Sequence, residues 1–142
     1  MTNSKSFLVL LFLAAAFTGQ AQTPAERTMF KSFNLNGKNQ ILLQLPGTVE
    51  VTNWDNPTVK IEITVSLPNG NTAMLTNLAD VGRYNLSAKT EGTTLVISAE
   101  NLYRIIKVQG QDLKENISFQ VFVPKSVPVE VFDSATASLD KK

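Results

Sequence analysis

The chain of 142 residues contains no cysteine and no histidine, and each absence excludes a class of chemistry. Without cysteine there are no disulfides, no thiolate metal ligands and no cysteine nucleophile. Without histidine the chain lacks the side chain that most often serves as a general base or a metal ligand. We therefore expect no catalytic residue set, no metal site and no cofactor.

An excess of charge of one sign is also missing. The 13 basic residues nearly balance the 12 acidic residues, and the formal net charge is +1. Such a balance is atypical of proteins that bind nucleic acid through a basic surface. The glycines stand singly, so the chain has no glycine-rich loop of the kind that holds phosphate. We therefore expect no nucleic-acid partner.

The first 21 residues have the features of a secretory signal peptide. Lys5 precedes eleven consecutive apolar residues, Phe7 to Phe17, and small residues follow at Gly19 and Ala21. At a rise of about 1.5 Å per residue such a run covers about half of a ~30 Å hydrocarbon core. We expect cleavage after Ala21 and no integral membrane span afterwards. The expected location is therefore outside the cytoplasm, and the lack of cysteine in an exported chain fits a bacterial envelope.

Past the leader, apolar and polar residues alternate with the period of two that is typical of half-buried β-strands. The runs form four pairs, and in each pair the second strand begins ten residues after the first: 30–35 with 40–45, 48–53 with 58–67, 84–91 with 94–100, and 117–123 with 127–133. Apolar residues spaced three and four apart over 71–81, followed by Gly82, predict one short helix.

Eight strands in four pairs are compatible with two all-β architectures. Successive pairs could wind as coils of a flattened two-sheet β-solenoid, or they could be hairpins of an antiparallel β-sandwich. Long and similar crossovers after each pair favour the solenoid. The predicted organisation is a signal peptide over 1–21, a flexible N-terminus over 22–29, a single β domain over 30–133 and a frayed tail over 134–142.

The order of short motifs resembles that of a family of exported bacterial β proteins. The motifs are, in chain order, Pro46-Gly47-Thr48-Val49-Glu50-Val51, Trp54-Asp55, Gly82-Arg83-Tyr84 after the helix, Gly92, and Phe122-Val123-Pro124-Lys125. Over roughly 30–133 this layout resembles the adhesin-head proteins of Gram-negative bacteria and the exported β-solenoid proteins grouped with them. The resemblance implies export to the periplasm, the cell surface or the extracellular space of a Gram-negative bacterium, together with parallel β-coils. It also implies a role in adhesion or envelope binding, and it supplies no catalytic residues.

Trp54, Asp55 and Asn56, between two predicted strands, are the first candidates for ligand binding. An indole can stack on a sugar ring while the two polar side chains bond its hydroxyls. The alternative interpretation is that Asp55 and Asn56 shape a turn and that Trp54 packs over the sheet.

The second candidate is an interaction edge near the C-terminus, formed by Phe119, Phe122 and Phe132. Residues 116–123 carry no charge and have high β-propensity, which makes an open edge prone to pairing. Phe119 belongs to the inward set of this strand and Phe122 to the outward set. We expect this edge to bind an envelope protein, a glycan or a second copy of the chain.

The sequence therefore predicts a non-enzymatic exported protein that acts by surface binding or adhesion. One alternative is a carbohydrate-binding module or carbohydrate-active enzyme that uses Trp54 and surface carboxylates. Another is a structural or inhibitory partner of an envelope protein, joined through an open sheet edge.

Overall fold

The computed structural model describes residues 23–132, which form two four-stranded β-sheets, a small hairpin and one α-helix. The predicted signal peptide and tail lie outside these residues. The elements are β1 (Ala25–Asn34), β2 (Gln40–Gln44), β3 (Thr48–Trp54), β4 (Thr58–Leu67), α1 (Thr72–Asp80), β5 (Ser87–Glu91), β6 (Thr94–Ser98), β7 (Lys107–Val108), β8 (Gln111–Asp112), β9 (Asn116–Pro124) and β10 (Val129–Val131). The predicted all-β class with one short helix is confirmed. Within 23–132 no helix has the length and hydropathy to cross a membrane.

Each large sheet mixes parallel and antiparallel pairs. Sheet A has the strand order β1-β4-β9-β3, in which only the β3–β9 pair is parallel. Sheet B has the order β10-β2-β6-β5, in which only the β5–β6 pair is antiparallel. Uniformly parallel coils would not produce the antiparallel pairs, so a solenoid is not confirmed. Of the four predicted strand pairs, only β5 and β6 are direct neighbours, so a sandwich built from four hairpins is not formed either.

Both sheets contribute to one apolar core. The alternating residues of β4 that the sequence assigns to the inner face are at most 2% exposed, and the inner residues of β2 and β6 are buried with them. Leu75 of α1 is also buried in this core. The principal core residues of the three strands are Val59, Ile61, Ile63, Val65, Leu67, Ile41, Leu43, Leu95 and Ile97.

The structure differs from the sequence prediction at the start of the domain. β1 begins at Ala25, so residues 25–29 belong to a strand rather than to a flexible segment. All ten residues of β1 pair with the ten residues of β4, from Ala25 opposite Leu67 to Asn34 opposite Thr58. The physical reason is that the inner face of β4 is buried along the whole strand, and the backbone groups of this strand need hydrogen-bond partners on both sides.

The predicted interaction edge is also corrected, because β9 is a central strand. It pairs with β4 on one side and with β3 on the other, and Phe119 is 1% exposed in the core. An apolar strand without charges is typical of such a position, since both of its edges are covered. The edge strands of the two sheets are β1, β3, β5 and β10.

Candidate functional site

The outer face of sheet A, the face directed away from the core, brings several large side chains together. Alternate residues of a strand point to opposite faces, so the residues between the core positions lie on this outer face. Across neighbouring strands, Lys60 of β4, Phe122 of β9 and Thr52 of β3 form one row. Phe30 of β1 lies diagonally to one side of that row, opposite Glu62, and Trp54 of β3 lies diagonally to the other side, opposite Pro124. The register therefore places aromatic residues from three strands on one surface.

Phe30, Lys60, Phe122 and Trp54 form a continuous group that we call the aromatic band. The ring centroids of Trp54 and Phe122 are 5.5 Å apart, with an angle of 39° between the planes. Lys60 Nζ lies 5.3 Å from the centroid of Phe122 and 5.1 Å from that of Phe30. The ammonium group is therefore attracted to both phenyl rings and joins them.

The aromatic band is accessible to solvent. Phe30 is 62% exposed, and the other three side chains are half-buried. Single exposed apolar residues are common on protein surfaces, but a contiguous apolar group more often marks an interaction site. Because β4 and β9 are paired on both sides, the backbone beneath Lys60 and Phe122 is held in place.

The predicted ligand loop at Trp54, Asp55 and Asn56 is a turn whose polar atoms are largely used within the chain. Trp54 Nε1 donates to the carbonyl oxygen of Thr58 at 2.8 Å. Asn56 Oδ1 accepts hydrogen bonds from the Thr58 backbone N at 3.1 Å and from its Oγ1 at 2.9 Å. Asp55 forms an ion pair of 2.8 Å with Lys125. The ring of Trp54 and the exposed ion pair of Asp55 with Lys125 remain accessible to a ligand, and an open depression of about 280 Å³ adjoins them.

The charged residues of the outer face are few and mainly acidic. The strands of this face carry one lysine, Lys60, and three glutamates, Glu26, Glu50 and Glu62, which leaves two net negative charges. Lys60 itself is neutralised by Glu62, with Nζ and Oε1 2.8 Å apart. A surface of this sign repels phosphate and other anions.

Hydroxyl and amide groups surround the aromatic band. Gln120 Nε2 donates to Thr52 Oγ1 at 2.9 Å, and Thr28 and Thr64 share a hydrogen bond of 3.0 Å. These side chains lie in positions exposed to solvent, where their remaining lone pairs and N–H groups can bond a ligand. The outer face thus combines apolar rings with neutral hydrogen-bonding groups.

A second polar cluster is buried between the loop after α1 and the segment before β9. Arg83 Nη2 and Glu115 Oε2 are 2.7 Å apart, and the two side chains are 6% and 7% exposed. Glu115 Oε1 accepts from Arg83 Nε at 3.3 Å and from the Tyr84 hydroxyl at 2.8 Å. Arg83 Nη1 donates to the carbonyl oxygens of Asn101 and Arg104. Burial, and then the bond to Glu115, raises the pKa of Tyr84 well above its ordinary value.

This buried cluster holds loops together rather than presenting groups to a ligand. Its guanidinium and carboxylate are engaged inside the protein, although a depression of about 340 Å³ adjoins them. Gly82, with φ of 81°, turns the chain just before Arg83, and its carbonyl accepts from Asn101 Nδ2 at 2.9 Å. The ion pair joins residues 32 positions apart, and no sequence pattern links them.

The three phenylalanines of the predicted interaction edge have separate environments. Phe119 is in the core, Phe122 belongs to the aromatic band, and Phe132 follows the edge strand β10. Phe132 is 41% exposed, and its backbone N donates to the Leu43 carbonyl at 2.8 Å. Neither Phe30 nor Lys60 was predicted to belong to a site. The only signal was that both occupy outward positions of their strands.

Comparison with known proteins gives no family. No protein-family model matches the chain, and no curated protein matches it. Similar solved structures include a proposed cell adhesion protein from Clostridium sporogenes, with 14% identity, a TM-score of 0.42, and coverage of 77% of this chain and 46% of that chain. Another is a proposed adhesin from Bacteroides fragilis, with 10% identity, a TM-score of 0.39, and coverage of 74% and 39%. This chain spans less than half the length of either structure, and similarity at this level carries no functional argument.

Proposed function

We propose that this protein is exported and acts by binding at the bacterial cell envelope, in adhesion, with the aromatic band as its contact surface. The observation that carries the proposal is that Phe30 is 62% exposed and is joined to Phe122 by Lys60, whose ammonium group lies over both rings. Aromatic side chains are enriched in binding surfaces, and a few of them usually supply most of the binding energy.

The position of the band on a paired sheet supports this role. The central strands β4 and β9 carry Lys60 and Phe122, and the contact between Phe122 and Trp54 restricts both rings. Side chains that are already ordered lose less conformational entropy when a ligand binds. A rigid, solvent-accessible band can therefore bind without a rearrangement of the fold.

Retention of protein-coated beads by bacterial cells and isolated cell-envelope fractions tests the proposal. Phe30→Ser removes the most exposed ring of the band, while Val81→Ser is the matched control, because Val81 is 79% exposed at the end of α1. We expect Phe30→Ser to weaken binding about fivefold or more, the change that about 1 kcal/mol gives, and Val81→Ser to bind like the unmodified protein. Equal retention of all three proteins would show that the band is not the contact surface.

A further inference from the structure

The sign of the charge on the outer face of sheet A restricts the class of ligand. The two net negative charges disfavour nucleic acids, anionic lipids and sulfated or sialylated glycans. Within the strands of this face the single lysine, Lys60, is already bound to Glu62 and lies against two rings. Lys125, beside Trp54, is likewise paired with Asp55. Binding an anion would compete with these ion pairs, so a neutral ligand fits the surface better.

The length of the aromatic band restricts the size of the ligand. Lys60 Nζ lies 5.1 Å from the ring centroid of Phe30 and 5.3 Å from that of Phe122, and the centroids of Phe122 and Trp54 are 5.5 Å apart. The band is therefore longer than a single sugar ring, and a ligand that covers it has several rings in a row. The indole N–H of Trp54 is bonded to Thr58, so the ring offers its apolar face and edge rather than a donor.

The groups beside the rings complement a hydroxyl-rich molecule. Thr52 and Gln120 lie next to Phe122, and Glu62 lies opposite Phe30. Carboxylate, amide and hydroxyl side chains accept from and donate to sugar hydroxyls, while the C–H faces of a pyranose ring pack against an aromatic ring. An apolar protein segment would leave these polar groups covered without partners, which is costly.

We infer that the aromatic band binds a neutral oligosaccharide of several residues, with sugar rings packed on Phe30, Phe122 and Trp54 and with hydroxyls bonded by Thr52 and Gln120. This inference rests on the proposed function and names the chemistry of its ligand. The proposed interaction is binding without cleavage, in which the ligand is held by stacking and by hydrogen bonds at its hydroxyls.

Trp54 is the one tryptophan of the chain, so its fluorescence reports directly on the band. We would screen the exported protein against an array of neutral glucans, mannans, galactans and N-acetylhexosamine polymers, with sialylated and sulfated glycans on the same array. Neutral glycans that are retained would then be titrated against Trp54 emission. We expect a saturable change in emission with a neutral oligosaccharide, weaker for the monosaccharide, and little dependence on salt.

Two variants and one control assign that binding to the band. Phe30→Ser and Phe122→Ser should each weaken glycan affinity by about fivefold or more, and Val81→Ser should leave it unchanged. Phe30→Ser is the decisive variant, because Phe30 is on an edge strand and largely exposed, so the fold does not depend on its ring. Circular dichroism of each variant establishes that it is folded.

Three outcomes would overturn the inference. The first is salt-sensitive binding to anionic glycans only, and the second is glycan binding that is indifferent to Phe30→Ser. The third is the absence of glycan binding while envelope retention still depends on Phe30, which would point to a protein partner and leave the proposed function standing. If envelope retention were also independent of Phe30, the proposed function itself would fail.

Discussion

Removal of one partner of the buried Arg83–Glu115 ion pair should strongly destabilise the fold. Glu115→Ala deletes the acceptor of two arginine hydrogen bonds and of the Tyr84 hydroxyl bond. The guanidinium stays charged at a site where its side chain is 6% exposed. Breaking a buried pair in this way costs about 3–5 kcal/mol, a large part of the about 5–15 kcal/mol that stabilises an ordinary domain.

An exposed ion pair of nearly the same length provides the control. Lys107 Nζ and Asp112 Oδ1 are 2.8 Å apart, against 2.7 Å in the buried pair, but their side chains are 66% and 63% exposed. Solvent screens such a pair, so Asp112→Ala should cost no more than about 1 kcal/mol. Urea unfolding followed by circular dichroism measures both variants on the same scale. The melting temperature of Glu115→Ala should fall by at least about 10 °C.

A double variant separates the cost of the unpaired charge from the loss of packing. Arg83→Met with Glu115→Leu removes both charges and keeps similar side-chain volumes, so no buried ion is left without a partner. We expect the double variant to be more stable than Glu115→Ala alone. The reasoning would be refuted if Glu115→Ala were no more destabilising than Asp112→Ala, or if the double variant were the least stable of the three.

Three further predictions concern single sites. Tyr84 has a raised pKa in the folded state, so its contribution to stability is complete below the ordinary phenol pKa of about 10 and is lost as pH rises above that value. Tyr84→Phe should therefore flatten the decline of the urea midpoint between pH 9 and 11, roughly the range in which an unfolded phenol ionises. An unchanged slope would contradict this expectation. Asn71 caps α1 through a 2.8 Å bond from Met74 N to its Oδ1, so Asn71→Ala should cost about 1 kcal/mol in thermal unfolding, whereas Asn71→Asp, which keeps an acceptor, should cost less. Phe119→Ala should lower the free energy of unfolding by about 3–5 kcal/mol and Phe122→Ala by only about 1 kcal/mol, because Phe119 is in the core and Phe122 is half-buried. Similar losses for the two variants in urea unfolding would contradict the placement of β9.

The positions of the strands could be predicted because side-chain direction in a strand is a local property. Successive residues point to opposite faces, so a run such as 58–67 shows its length and its buried face in its own sequence, and β4 occupies those residues. The helix is similarly local, since Asn71 caps it and Gly82 follows its end with a positive φ. The outward direction of Phe122 was predictable for the same reason.

The neighbours of each strand could not be predicted in this way. β9 lies between β4 and β3, although more than forty residues separate it from either strand in the chain. Period-two alternation contains no information about which strand lies alongside, so an uncharged strand near the C-terminus was assigned to an open edge. Its lack of charge instead reflects a position that is paired on both sides.

The candidate site depends on those long-range pairings. The sequence by itself determined that Lys60 and Phe122 point away from the core, because alternation along a strand sets the face of each side chain, whereas it gave Phe30 no face and placed Trp54 between two strands. Only the tertiary structure decided that the four side chains meet, because the register between β1, β4, β9 and β3 arises when the strands pair and pack over a shared core. The contact between Arg83 and Glu115 has the same origin, since the two residues are 32 positions apart and the chain between them must fold before the two charges can approach.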